Sequence, residues 1–333
     1  MPDVLAELRA RTALDEVGLP HNGPMVRADS TSNEVFITCN HVVRFNQEPS
    51  NRLQREADVC AHLRLELPGR RWLPEVEAYG GRPGSDYLIV VKQEGASLSR
   101  RWPFLCQGQR RRAIAQLAGY LRELHGTDRL DRIPAIENPP HLIGGCDQAA
   151  PLFDGLDRLA QTPNVDPGLV TDARWLAEEA AGALRGDCRM GLIHGDLTLE
   201  NMLWNGQDIT ALIDLEWARP APVDLELDIL ARYCAMPEVH VSPNVSHHQR
   251  GEDYRHVAVW LSEDYPELFG AEDLGQRLMV YALGYEVRDT LANPPSGDKM
   301  YLSRFHPYKR LGHLVATGGH VNDWLVNLDL PTV

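Results

Sequence analysis

Short β-branched runs separated by turn signals fill the first ninety or so residues. Glu34-Val35-Phe36-Ile37-Thr38 and His41-Val42-Val43-Arg44-Phe45 predict two strands joined by a tight hairpin at Cys39-Asn40. From Ser50 the period lengthens: Leu53, Ala57, Cys60 and Leu63 recur at three- and four-residue spacing, which predicts a helix with one apolar face. Two further strands are expected at Glu75–Tyr79 and Tyr87–Val91, on either side of the turn-rich Gly80-Gly81-Arg82-Pro83-Gly84-Ser85. The sum is a small sheet carrying one helix.

After Gly95 the pattern turns helical. Arg110 to His125 sets Ile114, Leu117, Ala118, Leu121 and Leu124 on one stripe and stops at Gly126. Thr171 to Leu184, ending at Gly186, predicts a second helix with Trp175, Leu176 and Ala180 inward. The segment from Ile133 to Asn164, rich in Pro and Asn, reads as connection with short helical pieces. Met202-Leu203-Trp204 and Ile209–Ile213 flank Asn205-Gly206, a strong hairpin signal that sets Asn201 and Asp214 at the open ends of paired strands. Further helices are expected at Asp224–Cys234, Tyr254–Leu268, Leu274–Leu291 and Tyr308–Val315, with Asp224 capping the first of them.

A length of 333 residues exceeds the roughly 250–300 at which single cores stop growing, so two lobes sharing a cleft are expected. No apolar run approaches the roughly 20 residues that span a bilayer, so no membrane insertion is expected. The acidic start Met1-Pro2-Asp3-Val4-Leu5-Ala6-Glu7 lacks the features of a signal peptide, which leads to the expectation of a cytoplasmic protein. Six scattered cysteines without a C-x-x-C pattern suit reduced thiols better than disulfides or zinc. The net charge of −14 argues against a nucleic-acid partner, which needs clustered Lys and Arg, and is compatible with a cationic small molecule.

Against this background one stretch carries chemistry: Gly191-Leu192-Ile193-His194-Gly195-Asp196-Leu197-Thr198-Leu199-Glu200-Asn201, followed by Asp214. An apolar strand end delivers an Asp, an Asn follows five residues on, and a second Asp closes the hairpin. That spacing holds a metal-nucleotide beside an acceptor hydroxyl in kinases. Asp196 is the candidate to accept the hydroxyl proton, and the amide oxygen of Asn201 with the carboxylate of Asp214 suits Mg²⁺. His194 reads as a residue that holds the loop by hydrogen bonds, and Glu216 as either a further carboxylate of the site or a solvated residue.

His194-Gly195-Asp196 with Asn201, then Ile213-Asp214-Leu215-Glu216-Trp217-Ala218, resembles the aminoglycoside phosphotransferase family of small-molecule kinases, a branch of the protein-kinase-like fold. Gly195 is the discriminating position, because protein kinases carry Arg there and the antibiotic, choline and related kinases carry Gly. The resemblance is strong over about 191–225 and diffuse elsewhere. It implies an α+β, protein-kinase-like two-lobe fold: a small antiparallel β-sheet lobe with one helix over residues 1–95, which binds nucleotide, and a larger, mainly helical catalytic and substrate-binding lobe over residues 96–333. It also implies a loop over the phosphates, matched by Ala28-Asp29-Ser30-Thr31-Ser32-Asn33, with Ser30, Ser32 and Asn33 as donors. Arg44 falls on the third-strand position where most relatives have Lys, Glu56 on the helix glutamate that pairs with it, and Gln93-Glu94-Gly95 on the inter-lobe connection, with Gln93 and Gly95 against the purine. Lys92 is a rival to Arg44.

The function so implied is Mg²⁺-dependent transfer of the γ-phosphate of ATP or GTP to a hydroxyl of a small molecule, an antibiotic of aminoglycoside, nucleoside or peptide type, conferring resistance. A metabolic kinase of choline, homoserine or sugar type is the alternative within enzymes, and a silent kinase-like binding module the alternative outside them. Acceptor choice is expected in residues 127–186 and 236–333, whose carboxylates Glu252, Asp253, Glu263, Asp264, Glu286 and Asp289 are mixed with many arginines.

Overall fold

The computed structural model describes residues 2–333 apart from Asp29, Thr31, Ser32, Glu48, Pro49, Pro83, residues 145–147, Asp187, residues 243–245 and the side chains of Pro2 and Asp3. The chain forms two compact units, one of Met1–Ala135, His194–Arg219 and His240–His248, the other of Ile136–Ile193, Pro220–Val239 and Gln249–Val333.

The first unit opens with helix α1 (Pro2–Glu16), followed by strands β1 (Val26–Arg27), β2 (Asn33–Ile37) and β3 (His41–Asn46), helix α2 (Arg52–Glu66), and strands β4 (Val76–Gly80) and β5 (Tyr87–Val91). The five strands make one antiparallel sheet in the order β1-β2-β3-β5-β4. The β2–β3 turn is tied by Thr38, whose hydroxyl accepts the N–H groups of Asn40 (3.3 Å) and His41 (2.9 Å), so a local side chain completes the hairpin. On α2 the expected Leu53, Cys60 and Leu63 are buried, whereas Ala57 is half-buried and Val59, outside the expected stripe, is buried with them. Nothing in the sequence pattern announced α1. Its Ala10, Ala13 and Leu14 join Phe36, Val43, Phe45, Tyr87 and Ile89 in one core, and Arg9 stacks on Phe45 with its guanidinium 4.0 Å from the ring centre.

A second sheet of the same unit joins Ala96–Ser97, Met202–Trp204 and Ile209–Leu212. The Asn205-Gly206 signal is met by a four-residue loop in which the Asn205 side chain accepts from the N–H groups of Gln207 (3.0 Å) and Asp208 (2.9 Å), with Gly206 at φ +104°. Gly95 takes φ +115°, and a Cβ there would lie 2.8 Å from the Trp204 backbone, so only glycine fits. The helix Gln107–His125 buries Ile114, Leu117, Ala118, Leu121 and Leu124 as expected.

The second unit is built around the helix Leu274–Ala292, which packs against Ala150–Ala160, Pro167–Ala180, Leu225–Ala235, Pro307–Thr317 and Gly319–Asn327. Four expectations are corrected here. Trp175 points outward, 57% exposed, because Ala173, Ala177 and Ala180 are the inward residues of its helix. The segment 133–164 holds a full helix at Ala150–Ala160. Tyr254–Leu268 is broken into Gly251–Tyr254, Val257–Asp264 and Pro266–Phe269, with Pro266 ending the α-helical run. Asp224 makes no side-chain cap; its carboxylate is instead paired with Arg277 and accepts from Tyr281 at 3.1 Å.

A second buried ion network lies in this unit. Asp228 accepts from His141 Nε2 (2.9 Å), His320 Nε2 (2.8 Å) and Arg232 Nη2 (3.1 Å). Glu286 is paired with Arg232 and, at 3.0 Å, with Arg310, whose other nitrogen reaches Asp289 at 2.8 Å.

Candidate active site

The strand Met190–Ile193 runs into His194, which is fully buried. Burial drives the His194 imidazole down to about pKa 4, so the ring is neutral. A neutral ring has one donor and one acceptor: Nε2 lies 3.0 Å from the carbonyl of Ile213, and Nδ1 accepts the Asp196 N–H at 3.4 Å. His194 thus ties the Asp196 loop to the strand before Asp214, with both ring nitrogens already committed to backbone groups.

Gly195 sits between them at φ +82°, and a Cβ would meet the Trp217 carbonyl oxygen at 2.1 Å. Any larger residue would push this loop off the turn that follows Asp214. Asp196 is half-buried, and the Asn201 Nδ2 donates to both its carbonyl and its Oδ2 at 2.9 Å. Burial, with the charge of Asp214, raises its carboxyl to about 6 despite that hydrogen bond. Asn201 closes the turn Leu199–Asn201, and its carbonyl accepts the Ile213 N–H at 2.9 Å, which sets Asn201 and Asp214 in register.

Asp214 holds a left-handed backbone at φ +67°, a conformation costly for a non-glycine residue. Glu216 follows in a single turn, Leu215–Trp217, and is buried rather than solvated. From β3, Arg44 Nη1 reaches both oxygens of Glu56 at 2.8 and 2.6 Å, while Nη2 reaches Asp214 Oδ1 at 2.5 Å and stands 3.7 Å from Glu216. Burial works against the Arg44 charge, but Asp214, Glu56 and Glu216 overcome it and hold the guanidinium charged. Lys92, its rival, is exposed at the end of β5.

Carboxyl groups outnumber guanidinium groups in this cluster. Glu56, Asp214 and Glu216 bring oxygens within 4.8 Å of one another, with Asp196 electrostatically coupled to Asp214. Burial, offset in part by Arg44, lifts Glu56 to about 7, and burial with the Asp214 charge lifts Glu216 to about 8. One Glu216 oxygen is buried without a hydrogen-bond partner. Hard oxygen donors beside uncompensated negative charge suit a divalent cation such as Mg²⁺.

Other expected residues lie apart from this cluster. Ser30 and Asn33 occupy the tip of the β1–β2 hairpin, where the Asn33 N–H donates to Ser30 Oγ at 3.4 Å; Ser32 is outside the described residues. Gln93 is half-buried and Gly95 exposed in the link to the second sheet. Three neighbours of the site were not foreseen. Glu200 accepts from Ser97 Oγ at 2.7 Å and from Ser99; Arg52 lies 4.4 Å over the Trp217 ring and 3.7 Å from Glu216; Arg55 is buried against the turn after Asp214. For Arg55 the available signal was a charged residue one turn before Val59 on the apolar side of α2.

The sequence profile of the phosphotransferase enzyme family (APH) matches residues 26–260. Among solved structures, the ADP-bound aminoglycoside phosphotransferase APH(2'')-Ib is similar at 13% identity, with 95% of this chain and 98% of that one covered and a TM-score of 0.60. An aminoglycoside phosphotransferase APH(4)-Ia in ternary complex with ADP and hygromycin B gives 16%, 93% and 98%, with 0.62. A choline/ethanolamine kinase family protein from Mesorhizobium loti gives 19%, 96% and 98%, with 0.60. At such identities the likeness fixes the fold, which is protein-kinase-like. No curated protein matches by sequence. Among the described residues no helix is long and apolar enough to cross a membrane. The family match spans well over half of the chain, and the chain belongs to the phosphotransferase enzyme family.

Proposed function

We propose that this phosphotransferase moves the γ-phosphoryl group of ATP or GTP, with Mg²⁺, to a hydroxyl of a small molecule in the cytoplasm. The observation that carries this is the Asp196 carboxylate, held by Asn201 and lifted to about 6, next to a charge cluster on Asp214. A carboxylate with that pKa is ionised at neutral pH and still basic enough to accept a hydroxyl proton as the oxygen attacks phosphorus. Asn201, whose Nδ2 is committed to Asp196, has its amide oxygen left for a metal, and Asp214 has the carboxylate oxygen that Arg44 does not take. These two would hold Mg²⁺, which supplies charge neutralisation on the phosphate oxygens when bound. Arg44, kept in place by Glu56, supplies a fixed cation to the phosphates; Ser30 and Asn33 on the hairpin tip, Gln93 and Gly95 on the link, and Ser32, which lies outside the described residues, complete the nucleotide site. Residues 1–95 then serve as the nucleotide lobe and 96–333 as the catalytic and acceptor lobe.

The acceptor is an antibiotic with a free hydroxyl, so that the reaction confers resistance. A polycationic aminoglycoside is disfavoured, because Glu286 and Asp289, two of the carboxylates available to it, are already paired with Arg232, Arg310 and Arg288. The same pairing favours a second reading, a metabolic kinase with a weakly charged acceptor of choline, homoserine or sugar type. Two measurements test the proposal. Thermal shift with ATP or GTP should show stabilisation that requires Mg²⁺, and a panel of hydroxylated antibiotics and metabolites with labelled nucleotide should reveal one phosphorylated class. Nucleotide-independent melting with no transfer would leave only a binding module.

A further inference from the structure

Helix α2 presents two adjacent charged residues, and only Glu56 has a place in the reading above. Arg55 is 2% exposed, yet its guanidinium is hydrogen-bonded to no carboxylate. Its three nitrogens instead donate to three backbone carbonyls: Nε to Pro134 at 3.0 Å, Nη1 to Glu216 at 2.7 Å, and Nη2 to Ala218. Burial depresses its pKa, and Glu216 partly offsets that. A buried cation whose hydrogen bonds go only to carbonyls is an expensive way to fill space, even with the charge of Glu216 nearby, and a methionine would pack there at lower cost.

What the guanidinium grips is the turn that begins at Asp214. That turn must keep Asp214 left-handed, a conformation that costs roughly 1–3 kcal/mol and persists only when its surroundings over-determine it. Glu56 accepts the Leu215 N–H, and Arg55 takes the next accessible carbonyls, those of Glu216 and Ala218. Consecutive residues of one helix therefore hold the turn at three points, while Glu56 also holds Arg44. Only an arginine fork can serve three carbonyls at once; a lysine ammonium on a flexible stem has donors but no fixed plane.

We propose that Arg55 is a positioning residue that fixes the Asp214 turn to α2, so that the seating of this helix sets the geometry of the metal-nucleotide carboxylate. This rests on the assignment of Asp214 to Mg²⁺.

The experiment compares wild type with Arg55→Lys and Arg55→Met. Wild type must first show Mg²⁺-dependent stabilisation by nucleotide; if it does not, the assignment of Asp214 has failed, and the role of Arg55 with it. Given that response, the apparent Mg²⁺–nucleotide affinity should fall about tenfold in Arg55→Met and less in Arg55→Lys, with acceptor KM unchanged. Amide exchange at 215–218 should accelerate in both variants, ahead of the β2–β3 hairpin. Guanidinium ion at low millimolar concentration should restore nucleotide affinity to Arg55→Met. A lowered Tm with unchanged nucleotide affinity and unchanged exchange at 215–218 in Arg55→Lys would overturn the proposal and leave Arg55 a packing residue. Arg55→Lys is the milder change, so it carries the test should Arg55→Met fail to fold.

Discussion

Each unit of the molecule contains a cluster of buried charge, and the two are built on opposite principles. Around Asp228 every carboxylate has its cation: Asp228 with Arg232, Glu286 with Arg232 and Arg310, Asp289 with Arg310 and Arg288. Burial alone would raise the Asp228 pKa, but Arg232 and the hydrogen bonds from His141 and His320 force it well below the ordinary value. Around Asp214 the carboxylates outnumber the cations, and Asp196, Glu56 and Glu216 are all pushed upward. A balanced cluster with its carboxylate depressed is a finished piece of structure. An unbalanced one, with a left-handed Asp214 and a buried Glu216 oxygen that accepts no hydrogen bond, is the kind of cluster that the proposed Mg²⁺ would complete.

The difference is broken most sharply by removing one carboxylate from the unbalanced cluster. Asp196→Ala should lower turnover by about 10²–10⁴-fold, the usual contribution of a positioned base. Its Tm should hold or rise, since a carboxyl destabilised by burial and by Asp214 is being deleted. Mg²⁺-dependent nucleotide binding should survive. Turnover within tenfold of wild type would take the base assignment away from Asp196.

The same operation on the balanced cluster should do the reverse. Arg232→Met strips a partner from both Asp228 and Glu286, which are at most 1% exposed, and an orphaned buried charge costs about 3–5 kcal/mol. Chemical denaturation should show that loss, while the nucleotide affinity of the folded fraction stays near wild type. A loss under about 1 kcal/mol would mean that water or rearrangement already relieves this cluster, and that its pairings are not the balanced structure described above.

The two clusters also differ in how far the sequence announced them. Asp196, Asn201 and Asp214 lie within nineteen positions, and the Asn205-Gly206 turn between them is a local signal, so their register could be read from spacing. Arg44 and Glu56 were placed by resemblance, and their hydrogen bonds of 2.6–2.8 Å span twelve positions. The strands and the Gln107–His125 helix followed their apolar periods closely. The Asp228 network joins residues 141, 228, 232, 286, 310 and 320, and nothing local says which arginine meets which carboxylate. Asp224 was misread for that reason: a local cap was expected where Arg277, fifty-three residues on, takes the carboxylate. Helix α1 escaped because its inward residues are few and two of its three are alanine. Trp175 was misplaced because a large apolar residue outweighed the small ones that face the core.

The smallest effect, and the finest separation of the two clusters, is in the pH dependence of stability. Glu216 titrates at about 8 in the folded chain, above its ordinary value of 4.5, so folding favours its protonated form. Its contribution is fully present below the ordinary value and is lost as pH rises through about 8; Glu56 behaves alike through about 7. Asp228 is depressed, so its contribution is present above its ordinary 3.8 and is lost only as pH falls below that. Raising pH from about 5 to about 8 should therefore lower Tm through Glu216 and Glu56, against a smaller opposing gain from His194, whose depressed pKa favours the folded chain as pH rises, while Asp228 stays ionised throughout. Glu216→Gln removes one titrating group without changing shape. Its Tm should exceed that of wild type by a few degrees at about pH 8 and converge with it at about pH 5, measured without nucleotide or Mg²⁺. An offset equal at both pH values would show that Glu216 is already charged at about pH 5, and that some neighbour supplies the positive charge this cluster is argued to lack.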